Sequence, residues 1–188
     1  MKIICFGDSN TYGWDPREFS TNKYDHQWPE LLAAMTGFEV INMGQPGREI
    51  YYRDYQFERW LDPYINKSNH DLLIIMLGTN DLLNMSYPKA ECPAERMRIF
   101  IDHIKEKKLS ENIIILSPPQ IRLYENENNT ELERYAEFLE KLAEEKGLGF
   151  SDTSKWGLAL AFDGIHLTED AHQMFADRIL EVISRGNS

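Results

Sequence analysis

Five short apolar runs, each followed by a longer stretch with helical spacing, set the strongest limit on what this chain can fold into. The runs are Ile3 to Phe6, Glu39 to Asn42, Leu72 to Leu77, Ile113 to Leu116 and Gly149 to Asp152. Most are apolar without alternation, as strands buried on both faces are. Between them, Trp28 to Met35, Glu49 to Leu61, Ala94 to Lys107 and Thr130 to Lys146 carry apolar residues three and four apart against charged faces. A last helix is predicted from Thr168 as N-cap, with Ala171, Phe175, Ile179 and Val182 on its apolar side and its end before Gly186. Repeated strand-helix units of this kind predict an α/β protein with a five-stranded parallel sheet and crossover helices on both faces.

A chain of 188 residues can bury one such sheet, and no linker, repeat or low-complexity segment divides it, so residues 1–188 are read as one domain. The polar stretch Glu125 to Asn129 is an exposed approach to a helix, and the acidic residues from Glu125 to Glu145 form a solvated face. A formal net charge of −11 repels phosphate backbones and anionic lipid surfaces, which argues against nucleic acid and membranes as partners. Met1 to Phe6 leads directly into the turn at Gly7-Asp8-Ser9 with no apolar leader, so a cytoplasmic location is expected. Two cysteines, Cys5 and Cys92, make neither a disulfide framework nor a metal cluster, and no His/Cys/Asp/Glu set has zinc-ligand spacing.

Ligands of open parallel sheets bind beyond the carboxyl ends of the strands. Four polar motifs are expected at that edge: Gly7 to Gly13, Asn42 to Gly47, Gly78-Thr79-Asn80-Asp81 and Asp163-Gly164-Ile165-His166. A serine hydroxyl becomes nucleophilic when a base removes its proton, and a histidine serves best when a carboxylate fixes its tautomer. Ser9, His166 and Asp163 supply the three groups, and the three-residue spacing of Asp163 and His166 lets one turn bring them together. Attack on a carbonyl leaves an oxyanion that needs fixed donors. The candidates are the N–H groups of Ser9 and Gly44 and the side-chain amide of Asn80. This chemistry requires no cofactor.

Gly7-Asp8-Ser9, Gly44, Gly78-Thr79-Asn80-Asp81 and Asp163-Gly164-Ile165-His166, in this order, resemble the four blocks of the SGNH (GDSL-like) hydrolases. The resemblance spans nearly the whole chain and implies a three-layer α/β/α sandwich with a flavodoxin-like sheet. It implies Ser9 as nucleophile, Asp163 and His166 as the rest of a triad, and Gly44 and Asn80 in the oxyanion hole. Ile4 to Ser9, Trp14, Ile75 to Asp81, Ser117-Pro118-Pro119 and Gly164-Ile165-His166 are most similar to the arylesterase and acyltransferase branch. The expected activity is hydrolysis of short-chain or aryl carboxylic esters through an acyl-enzyme, with acyl transfer where another alcohol replaces water. The partner is then a small-molecule ester, and self-association is left open.

Two other readings remain at this level. A carbohydrate O-deacetylase would use the same triad behind a polar, aromatic-lined groove. A flavodoxin-like phosphate or nucleotide-binding module would use the turn from Asp8 to Gly13, although the Gly-x-Gly-x-x-Gly and Gly-Lys-Ser/Thr signatures are missing. His26, His70, His103 and His172 compete with His166 as base, His172 being read as a helix-surface residue. Asp8 and Asp81 are read as turn and cap residues. Trp14, Met85 and Tyr87 are expected to bind substrate, with Leu123 and Tyr124 beside them, while Trp28 suits pocket or core equally.

Overall fold

The computed structural model describes residues 1–17, 23–66, 68–122 and 127–186. Leu123 and Tyr124 lie outside the described residues, as do Glu125 and Asn126 of the polar helix approach. Five parallel strands form one sheet: β1 (Lys2–Gly7), β2 (Glu39–Gly44), β3 (Leu72–Met76), β4 (Ile113–Leu116) and β5 (Gly149–Ser151). Their order, β2-β1-β3-β4-β5, is the flavodoxin-like arrangement. The helices are α1 (Ser9–Tyr12), α2 (Trp28–Thr36), α3 (Asp54–Trp60), α4 (Thr79–Leu83), α5 (Glu91–Glu106), α6 (Glu127–Lys146) and α7 (Glu169–Gly186), with a 3-10 turn at Thr153–Trp156.

Because successive side chains of a strand point to opposite faces, each strand feeds two cores. Ile4, Phe6, Leu73, Ile75, Ile113 and Ile115 face the layer of α3, α5 and α6, where Phe57, Phe100 and Tyr135 fill the space. Ile3, Cys5, Leu72, Ile74, Ile114 and Leu116 face α2 and α7, where Trp28 lies against Phe175 at 4.8 Å between ring centroids. Trp28 is therefore a core residue, completely buried.

Two helix boundaries and two short helices differ from expectation. Helix α3 begins at Asp54 rather than Glu49, because the Ile50 N–H donates to the Asp81 carboxylate at 3.1 Å and the segment before Asp54 serves as a strap. Helix α7 includes Gly186. The short helices α1 and α4 are absent from the periodicity because four or five residues make barely one turn; each starts directly after a strand-end glycine or its neighbour. Among the described residues no helix is long and apolar enough to cross a membrane.

The end of β2 passes close under α1. A Cβ placed on Gly44 would stand 2.1 Å from the Tyr12 backbone nitrogen, and backbone cannot yield as a flexible side chain does. Gly44→Ala is expected to cost about 1–3 kcal/mol through overpacking. Thermal unfolding would show this as a midpoint lowered by several degrees, and an unchanged midpoint would contradict the close approach.

Candidate active site

Ser9 is the first residue of α1, held there because the Asp8 carboxylate caps the helix by accepting the Asn10 N–H at 3.0 Å. The Ser9 side chain meets the loop before α7. His166 Nε2 lies 2.9 Å from Ser9 Oγ, and His166 Nδ1 lies 2.5 Å from Asp163 Oδ2. The other carboxylate oxygen of Asp163 accepts the N–H groups of Ile165 and His166, each at 3.0 Å, so a single aspartate shapes the turn and orients the imidazole. Asn10 ties this loop to α1: its amide donates to the Ile165 carbonyl at 3.2 Å and its oxygen accepts the Leu167 N–H at 2.9 Å. Gly164 closes the turn at φ +71°, and a Cβ there would strike the Arg122 carbonyl.

Burial raises the affinity of Asp163 for its proton, but the hydrogen bonds from His166 and the Ile165 N–H outweigh it, and the carboxyl is held below its usual range. The aspartate is thus a stable anion beside the imidazole. Ser9 is only 6% exposed, and Trp14, half-buried, holds its ring 6.0 Å from that of His166.

Of the competing histidines, His26 is exposed, and the other three have different partners. His103 bonds Asp62 and stacks on Phe57; His70 lies between Asn69 and Ser110. His172 is fully buried rather than on the helix surface, and its Nδ1 accepts the Trp28 N–H at 3.4 Å. Burial pushes its pKa down to about 4, so it stays neutral near pH 7.

The two expected oxyanion donors, Asn80 and Gly44, fare differently. The Asn80 amide donates one N–H to the Arg48 carbonyl at 3.1 Å and has a second to offer. The expectation for Gly44 is corrected: its N–H donates to Asn42 Oδ1 at 2.9 Å, and its lack of a side chain serves the packing under Tyr12. Three residues on, Gly47 takes φ +74° with open space around its Cα, and its N–H makes no hydrogen bond among the described residues. Gly47 adjoins Arg48, whose carbonyl is on Asn80. The signal that sequence reading missed is this second glycine after Pro46, where a positive φ demands it.

Of the expected substrate-binding residues, Trp14 stands beside His166. Met85 is half-buried in the turn after α4, and Tyr87 is 86% exposed, so it forms no wall. A cleft of about 650 Å³ opens instead along the Gly47 loop, lined by Met43, Gln45, Gln56, Tyr51, Trp60 and Tyr64.

Residues 5–174 match the GDSL-like Lipase/Acylhydrolase family. The chain belongs to this family. Among solved structures, it resembles a putative arylesterase from Agrobacterium tumefaciens str. C58 at 27% identity and TM-score 0.77, covering 97% of this chain and 100% of the other. A carbohydrate acetylesterase family member from Sinorhizobium meliloti aligns at 23% identity and TM-score 0.80, over 97% of each chain. The M. smegmatis aryl esterase aligns at 24% identity and TM-score 0.78, over 98% of each. No curated protein sequence matches the chain. The family assignment makes the protein an esterase and displaces the nucleotide-binding reading.

Asp8, 2% exposed, gives this site a pH signature. Burial, reinforced by the Asp81 charge and opposed by the Asn10 N–H and Arg48, pushes its pKa up from 3.8 to about 7. The folded protein then keeps a proton that the unfolded chain releases, so the contribution is full at acid pH and is lost as pH rises through about 7. Asp8→Asn keeps the capping acceptor without the titration. Its melting temperature relative to the parent is expected to climb between pH 4 and 7 and then level off; a constant difference would contradict the burial effect.

Proposed function

We propose that the protein hydrolyses short-chain or aryl carboxylic esters through an acyl-enzyme on Ser9. The observation that carries this reading is the unbroken chain from Ser9 Oγ through both nitrogens of His166 to Asp163, at 2.9 and 2.5 Å. His166 takes the serine proton as Oγ attacks the ester carbon, and passes it to the leaving alcohol as the tetrahedral intermediate collapses. It next takes a proton from water, whose oxygen attacks the acyl carbon, and returns that proton to Ser9. Asp163 stabilises the imidazolium in both steps without accepting its proton. The developing oxyanion is held by the N–H of Ser9 at the start of α1, the N–H of Gly47 and the free N–H of the Asn80 amide. Another alcohol in place of water gives acyl transfer, as the similarity to the arylesterase and acyltransferase branch suggests.

One observation favours a second reading, deacetylation of a carbohydrate. The cleft beside Gly47 pairs the amides of Gln45 and Gln56 with Trp60 and Tyr64, which are 42% and 57% exposed. Aromatic faces and amides together suit a sugar ring better than an aliphatic chain, and the alignment with the Sinorhizobium meliloti protein agrees with this.

Hydrolysis of p-nitrophenyl acetate, butyrate and octanoate, alongside acetylated xylo-oligosaccharides, separates these possibilities. Turnover is expected with the parent and not with Ser9→Ala, falling with acyl length. Higher kcat/KM on the acetylated sugars would favour the deacetylase, and equal turnover by Ser9→Ala would overturn the serine mechanism. Asn80→Ala is expected to lower kcat by about a hundredfold, the loss typical of one oxyanion donor. Parental rates in that variant would remove Asn80 from the hole.

A further inference from the structure

The serine mechanism needs its three oxyanion donors fixed to within a fraction of an ångström, yet they come from three separate loops. Arg48 touches all three. Its Nη1 donates to the carbonyl of Gly7, two residues before Ser9, at 2.8 Å, and also to the carbonyl of Met43 at the end of β2. Its Nη2 donates to the Gln45 side chain at 3.1 Å. The guanidinium lies over the Phe6 ring at 4.1 Å from the centroid, so the cation rests on the core between β1 and β2. Its backbone carbonyl receives the Asn80 amide at 3.1 Å, and Gly47 immediately precedes it in the chain.

We propose that Arg48 is the positioning residue of the oxyanion hole: its guanidinium locks the Gly47 loop to the strand end that carries Ser9, and its carbonyl aims the Asn80 amide. This rests on the serine-esterase reading above. A planar fork that serves two backbone carbonyls while lying flat on a ring is arginine chemistry; an ammonium group has neither the shape nor the reach. Arg48 lines the cleft, but its guanidinium is spent on the Gly7 and Met43 carbonyls and the Gln45 side chain, so it holds donors in place rather than binding substrate. Its removal should therefore weaken the transition state and leave substrate binding as it was.

The test is kcat and KM on p-nitrophenyl acetate for the parent, Arg48→Ala, Arg48→Lys and Ser9→Ala. Each rate is divided by the serine that an organophosphonate titrates at completion, which removes misfolded protein from the comparison. A misplacement of about 1 Å costs roughly a hundredfold in rate. Arg48→Ala is expected to show that loss in kcat per reactive serine with KM unchanged, Arg48→Lys to recover little of it, and ethylguanidinium added to Arg48→Ala to restore part. Parental kcat per reactive serine in Arg48→Ala, with only fewer serines titrated, would reduce Arg48 to a structural prop and overturn the proposal. Should Arg48→Ala fail to fold, Arg48→Lys decides alone: a loss of tenfold or more in kcat per reactive serine supports it, and a parental value overturns it. Ser9→Ala separates the two levels, because activity surviving in that variant defeats the esterase mechanism itself, whatever the Arg48 variants do.

Discussion

All strands of a parallel sheet run the same way, so their last carbonyls crowd one edge and each must find a donor there. In this protein side chains from distant segments answer that demand. Arg48 serves Gly7 and Met43, the Tyr135 hydroxyl donates to the Leu77 carbonyl at 3.2 Å, and the Thr153 hydroxyl donates to the Ser117 carbonyl at 2.7 Å. With the acceptors occupied, the edge is left with donors to offer: the N–H of Ser9 at the start of α1 and that of Gly47 in the loop after β2. The place proposed for the oxyanion is thus a consequence of how the sheet ends are closed.

The same economy governs the charged groups beneath the site. Asp8 and Asp81 are buried carboxylates with pKa values raised by burial, to about 7 and about 6. Asp81 accepts from Arg96 at 2.7 Å and from the Ile50 N–H, so it fastens the strap that leads out of the Gly47 loop to the block carrying Asn80. These acids shape the backbone around the reacting groups, whereas Asp163, partly exposed and held as an anion, acts on the imidazole directly.

Much of this was legible in the chain. The inner strands β3 and β4 were visible because both faces are buried, giving Leu72 to Leu77 and Ile113 to Leu116 an unbroken apolar character. The blocks around Ser9, Asn80 and Asp163 to His166 carry their chemistry in residue types and short spacings, which survive without coordinates. Gly44 and Gly47 did not separate, because a glycine in sequence does not tell whether the missing side chain serves a close approach or a positive φ; only the Asn42 bond to the Gly44 N–H decides. His172 looked like surface because the heptad-like pattern of α7 does not say that a second helix, α2, covers it at Trp28. The role of Arg48 was invisible for a similar reason, since both carbonyls it binds belong to strand ends that only the folded sheet brings side by side.

In the proposed reaction Ser9 attacks an acyl carbon whose oxygen sits among Ser9, Gly47 and Asn80. A crystal structure of the protein inhibited by an organophosphonate tests it most directly. Phosphorus is expected bonded to Ser9 Oγ, with one phosphonyl oxygen about 2.7–3.1 Å from the Ser9 nitrogen, the Gly47 nitrogen and Asn80 Nδ2. An adduct on another residue, or an oxygen turned away from Gly47 and Asn80, would contradict it.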